Sequence, residues 1–215
     1  MPKFNNIAGV IIAGGQSSRM HADGICGDKF LQLLGTKTIL EHVAARLKPQ
    51  VDHLFLNTNS DQTNLPNLNI PIILDKKSRN GGPLVGIKTA LEYAHDFAFL
   101  LCVPADSPFL PTNLLVQFYN RHKQTNARIV LASSNGRTHP IFGLWKTDLL
   151  QPLSDWLERS DKASILAFAH TIGFEEVEFP LKSLPETTGN YDPFFNINRA
   201  EDLTNARKLY ETLQW

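Results

Sequence analysis

A chain of 215 residues is long enough for one domain with a sizeable core, and its 42% apolar and 20% charged content is that of a globular protein. Lysine plus arginine and aspartate plus glutamate both number 21, and this balance gives no support to general nucleic-acid or anionic-membrane binding. No apolar run approaches ~20 residues, which argues against a membrane span. Two cysteines, Cys26 and Cys102, cannot build a disulfide framework.

In chain order, Ile7 to Ala13 has the β-branched apolar content of a buried strand. It breaks into Gly14-Gly15, small hydroxyl residues, Arg19 and then Asp28-Lys29. This run into a polar loop is unlike a signal peptide, and a cytoplasmic protein is expected. Phe30 to Leu34 is a short extended run closed by Gly35. Ile39, Leu40, Val43, Ala44 and Leu47 recur at helical spacing up to Pro49. Val51 to Asn57 and Ile70 to Leu74 predict two strands, the second delivering Asp75. Gly81-Gly82-Pro83 opens a helix from Leu84 to His95. Phe97 to Val103 is apolar almost throughout, as a strand covered on both faces requires, and leads into Pro104-Ala105-Asp106-Ser107-Pro108. A helix from Thr112 or Asn113 to Arg121 follows.

Beyond residue 125 the pattern changes. Asn135-Gly136 between two β-rich runs, Arg128 to Ala132 and Thr138 to Trp145, predicts a hairpin. Asp148 to Arg159 and Ala163 to His170 read as helices, Glu175 to Phe179 as a strand and Lys182 to Tyr191 as a polar loop. Phe194 to Asn198 is extended, and Asn198 with Glu201 reads as the capped start of a last helix. No linker or repeat interrupts the chain, so residues 1–215 are expected to form one domain. The expected fold is α/β, a three-layer Rossmann-like arrangement around a mostly parallel sheet with an antiparallel part in the second half.

In such sheets ligands sit beyond the carboxyl ends of the strands, where Gly14, Asn57, Asp75 and Asp106 all fall. A glycine pair lets successive N–H groups approach one anion, and Arg19 and Lys29 add positive charge for phosphates. The loop is neither a Walker A sequence nor a dinucleotide fingerprint. Gly14-Gly15 alone would read as a tight turn, and Asp28 beside Lys29 as a solvated ion pair. Asp106 is expected at the site surface, where it would hold a hard divalent cation whose other positions are filled by phosphate and water. Asp-Ser-Pro is also a common turn.

The whole string, A-G-G-x-x-x-R-M followed by D-K, resembles the signature loop of the nucleotidyltransferases, and I-I-A-G-G points within them to the molybdenum cofactor guanylyltransferases. L-L-C-V-P-A-D-S-P resembles the C-x-x-D-x-P element of that family, and Gly82-Pro83-Leu84-x-Gly86 its G-P-L-x-G element. Asn196-Ile197-Asn198 resembles its N-x-N, and His139-Pro140 a recurrent H-P pair on the second-substrate side; a lone histidine is more often structural. The segment from His21 to Gly27 is longer than the family's usual step to D-K. The resemblance implies GMP transfer from GTP to molybdopterin with release of pyrophosphate, using Mg2+ at Asp106. It implies Arg19, Lys29 and Asp106 as catalytic residues. It further implies Ile12, Ala13, Gly14, Gly15, Lys29, Asn57, Asp75, Gly82, Pro83 and Asp106 around the nucleotide, and Asn196 and Asn198 on the acceptor side. Partners would be GTP, molybdopterin and proteins that donate or accept the cofactor. A cytidylyltransferase, a sugar-phosphate nucleotidyltransferase and a catalytically silent nucleotide-binding module stay open as alternatives.

Overall fold

The computed structural model describes residues 6–14, 20, 22–76, 82–160, 164–185 and 188–214. Its first strand, β1 (Ile7–Ala13), is buried at every position. Ile7, Ile11 and Ala13 enter one core layer while Ala8, Val10 and Ile12 enter the other, as a two-residue repeat covered on both faces requires.

A 3-10 turn (Lys29–Leu31) and the short ladder of β2 (Leu33–Leu34) with β3 (Lys37–Thr38) lead to α1 (Ile39–Leu47). Thr38 caps this helix. Its hydroxyl accepts from the Glu41 N–H at 3.2 Å, and the Glu41 carboxylate accepts from the Thr38 N–H at 2.7 Å. Replacing Thr38 with alanine should cost about 1 kcal/mol, read as a melting temperature lower by roughly 2–4 °C.

Next come β4 (His53–Thr58), β5 (Ile72–Ile73), α2 (Pro83–Tyr93), β6 (Phe99–Pro104) and α3 (Leu114–Thr125). The hairpin of β7 (Ile129–Ser134) and β8 (Arg137–Lys146) turns at Asn135 and Gly136, both at positive φ, 48° and 71°. Helices α4 (Leu150–Arg159) and α5 (Ile165–Ile172), strand β9 (Glu175–Glu178), the small ladder of β10 (Lys182–Ser183) with β11 (Asn190–Tyr191), and α6 (Ala200–Thr212) follow.

Seven strands form one sheet in the order β5-β4-β1-β6-β8-β7-β9. Every pair is parallel except those of β8 with β6 and β7, so β8 alone runs against the rest. Helices α1 and α3 pack on one face, and α2, α4 and α5 on the other. The three-layer expectation holds. A third cluster, with Met20, Leu34, Phe109, Ile197 and Leu203, seats α6 beside the loop that follows β6. No helix among the described residues is long and apolar enough to cross a membrane.

Two local expectations are corrected. The strand expected over Ile70 to Leu74 contracts to Ile72–Ile73 at the sheet edge, and Pro71, which has no N–H, enters only through its carbonyl, accepting from Leu56 at 2.9 Å. The last helix is capped by neither the Asn198 side chain nor Glu201. Asp202 does it, its carboxylate accepting from the N–H groups of Asn198 and Arg199, each at 2.9 Å. That leaves the Asn198 side chain available elsewhere.

Candidate active site

Three parallel strand ends line up in register: Ile12 sits opposite Asn57 on one side and Pro104 on the other. Adjacent strands lie about 4.8 Å apart, so the ends of β4 and β6 are separated by roughly 10 Å. Different groups gather at the two ends of this row.

At the β4 end, Asn57 is buried and its Nδ2 donates to Asp75 Oδ1 at 2.9 Å. Asn59 Nδ2 donates to the other carboxylate oxygen at 3.1 Å, and Asn59 Oδ1 accepts from the Asp75 N–H at 2.9 Å. The Asp75 carboxylate is thus fixed in orientation and only half-buried. Asn59 is a residue that sequence reasoning passed over, although its spacing of two from Asn57 is the signal for a shared strand face. Beneath Asn57 lies α2. Gly82, at φ 104°, sets the chain direction into it, and Pro83 occupies the first helical position. A β-carbon at Gly86 would lie 2.5 Å from Asn57 Oδ1. Gly86→Ala should therefore displace Asn57 from Asp75 and weaken nucleotide binding by about tenfold, measured by calorimetry.

At the β6 end, residues 104–111 are all buried. Helix α1 and the turn after it tie this loop down: Arg46 Nε donates to the Leu110 carbonyl at 2.5 Å, and Gln50 Nε2 to that of Pro111 at 3.0 Å. The Ile197 N–H donates to the Asp106 carbonyl at 3.0 Å, drawing the N-x-N segment to the same place. Asp106 itself is only 6% exposed, not at the surface as expected. The reason is Lys29, whose ammonium closes over the carboxylate as an ion pair and also donates to Asn198 Oδ1 at 2.7 Å. Burial pushes the Asp106 carboxyl upward, and the Lys29 charge pulls against it.

Lys29 thus meets Asp106 and Asn198, two residues far along the chain, rather than its neighbour Asp28. Their two hard oxygens already converge on one cation, the ammonium. That donor set fits a small divalent ion that takes one or two protein oxygens and completes its shell with phosphate and water. Among the described residues no group of three or more His, Cys, Asp or Glu side chains is arranged to hold an ion unaided. Of the other expected residues, Ile12 and Ala13 are buried at the end of β1, and Gly14 is exposed, with open space where a β-carbon would point. Gly15 and Arg19 lie outside the described residues.

Beside this centre a cleft of ≈ 470 Å³ runs past Pro104, Asn198, His139, Asn196 and Asp192. Its floor carries a network that the order of residues does not announce. Ser134, fully buried, bonds to His139 Nε2 at 2.7 Å and to Asp192 Oδ2 at 2.8 Å. The geometry offers an anion and cation centre flanked by a side that can take a nucleoside and by a separate cleft.

Comparison with known proteins identifies the family and the fold. Residues 9–173 match the model of the MobA-like NTP transferase domain. The molybdenum cofactor guanylyltransferase of Brucella ovis is 50% identical over 208 residues, covering 97% of this chain and 94% of its own. That of Brucella melitensis biotype 2 shows the same identity and coverage. Among solved structures, molybdopterin-guanine dinucleotide biosynthesis protein A from Archaeoglobus fulgidus superposes with a TM-score of 0.70 at 20% identity, over 95% of this chain and 98% of that one. A nucleotidyl transferase from Methanothermobacter gives 0.70 at 18% identity, over 97% and 99%. The structural matches establish the fold, and the sequence matches the family: the chain belongs to the molybdenum cofactor guanylyltransferases, a nucleotidyltransferase family of molybdenum cofactor biosynthesis.

Proposed function

We propose that residues 1–215 act as one nucleotidyltransferase domain that transfers GMP from GTP to the terminal phosphate of molybdopterin. An oxygen of that phosphate forms a bond to the α-phosphorus of GTP, the bond from the α-phosphorus to the bridging oxygen of the β-phosphate breaks, and pyrophosphate leaves. The attacking oxygen is already anionic at neutral pH, so the residues have mainly to position and to stabilise charge. The observation that carries this reading is the convergence of Lys29, Asp106 and Asn198 between the Asn57–Asp75 end and the cleft.

In this reading Asp75 and Asn57 hold the nucleoside, with Gly82 and Pro83 at the start of the helix beneath it. The amides of Gly14 and Gly15 and the charges of Arg19 and Lys29 hold the departing pyrophosphate. Asp106 and Asn198 would hold a divalent cation, magnesium in this proposal, which would supply charge neutralisation for the phosphates. Lys29, freed from those oxygens, swings to the phosphates, a move its long flexible stem permits. Asn196 and Asn198 border the acceptor. A cytoplasmic location and exchange with proteins that deliver or take up the cofactor belong to the same proposal.

The test is magnesium-dependent pyrophosphate release with molybdopterin as acceptor, offering GTP, CTP, ATP and UTP in parallel. Release with GTP alone is expected. Release with CTP instead would replace the guanylyl assignment by a cytidylyl one. No release from folded protein with any nucleotide would leave only a nucleotide-binding role.

A further inference from the structure

Strand β5 is too short to hold Asp75 by its ladder. It pairs with β4 through Leu56 with Ile72 and Asn57 with Ile73, and the main-chain pairing stops there. The Asn59 side chain continues it. Its Oδ1 accepts from the Asp75 N–H at 2.9 Å, and its Nδ2 donates to Asp75 Oδ2 at 3.1 Å. Only one orientation of the amide satisfies both contacts, because a backbone N–H donates and a carboxylate oxygen accepts. Asn57 Nδ2 holds the other oxygen, Oδ1, at 2.9 Å.

Each carboxylate oxygen thus accepts one bond from an asparagine and keeps lone-pair capacity for another. The neighbouring ammonium of Lys76 goes to Glu92 at 3.0 Å rather than to Asp75. Asn59 is exposed and Asp75 half-buried, a setting in which a side-chain pair adds little to stability. What the pair secures is direction: two acceptors held side by side.

Position along the sheet decides which part of a nucleotide meets them. In the order β5-β4-β1-β6, three strand spacings, roughly 14 Å, separate the β5 end from the β6 end that carries Asp106. With the α-phosphate at Asp106, the base, which lies farthest from the phosphates, is the part that reaches Asp75. Among the four common bases guanine alone presents two adjacent N–H donors, at N1 and at the 2-amino group. Adenine and cytosine present one donor beside an acceptor, and uracil one donor between two acceptors.

We propose that Asn59 is a positioning residue for base selectivity: by holding Asp75 at its N–H and at Oδ2 together, it aims both carboxylate oxygens at the paired donors of a guanine. The inference rests on the reading of GTP as the nucleotide and goes beyond it in naming the residue that sets the preference. Asn59 acts through Asp75 and has no part in the chemical step.

Calorimetric binding of GTP and of ITP, which lacks only the 2-amino group, reads this without any acceptor. Wild-type protein should bind GTP about tenfold more tightly than ITP, the effect of one recognition hydrogen bond. The decisive variant is Asn59→Asp. It keeps an oxygen for the Asp75 N–H but sets a second carboxylate against Oδ2, and like-charge repulsion turns Asp75 away. GTP affinity should fall about tenfold, the preference over ITP should shrink to about twofold or less, and the melting temperature should stay within about 3 °C. Asn59→Ala, which removes both bonds and adds no charge, should shrink the preference with a smaller loss of GTP affinity. Unchanged GTP affinity in Asn59→Asp would overturn the proposal, as would equal losses for GTP and ITP, or a wild type that binds the two alike. If the wild-type protein binds CTP in place of GTP, the underlying reading fails and this inference falls with it. If it binds GTP and both Asn59 variants keep the wild-type preference, this inference alone fails.

Discussion

Asp106→Asn is expected to lower turnover by about 10³-fold or more, because in the proposed mechanism this carboxylate would draw a cation to the α-phosphate and the amide lacks its charge. The fold should survive. Removing one member of a fully buried ion pair typically costs about 3–5 kcal/mol by stranding the other charge. Two features reduce that figure here. The Lys29 side chain keeps 16% of its exposure and can turn to solvent, and a neutral amide escapes the burial penalty on the carboxylate. A net loss of about 1 kcal/mol is expected, or roughly 2–4 °C in melting temperature. Single-turnover pyrophosphate release and calorimetry on one preparation separate the two effects. A variant that unfolds, or one that turns over at near-normal rate, would each contradict this account of Asp106.

Lys29→Met gives the second large effect, and its two readouts have opposite signs. If Lys29 serves the phosphates as proposed, its loss should slow turnover by roughly 10²–10³-fold at saturating GTP and magnesium. The same change removes the ammonium that sits between Asp106 and Asn198. Without nucleotide, a divalent ion then has no resident competitor for those oxygens, and Mn2+ measured by electron paramagnetic resonance should bind roughly tenfold more tightly. Simple damage to the site would weaken both. Unchanged Mn2+ affinity, with turnover lost, would place the cation away from these oxygens.

The architecture was legible where local pattern and tertiary packing agree. The run Ile7 to Ala13 is apolar because both its faces are covered, and the Asn135-Gly136 hairpin follows from two positive φ angles that few other residue pairs accept. The sequence also located Asp106, Asn57 and Asp75 at one sheet edge, because strand ends in a parallel sheet share a side. What it hid were partners distant in the chain. Lys29 reads as a phosphate-binding residue, with a solvated pair to Asp28 as the alternative, and only folding shows it closing over Asp106. That contact is also why a residue expected at the surface is buried. Asn198 read as a helix cap until Asp202 proved to do that work. His139 read as a structural histidine, and nothing in the order of residues announces that Ser134 and Asp192 meet it.

The central claim is transfer of a nucleotidyl group, and GTP radiolabelled at the α-phosphate tests it most directly. Incubated with the protein, magnesium and molybdopterin, the label should appear in a pterin dinucleotide while the released pyrophosphate stays unlabelled. Label found only in GMP or GDP, with molybdopterin unchanged, would show hydrolysis instead of transfer and contradict the account.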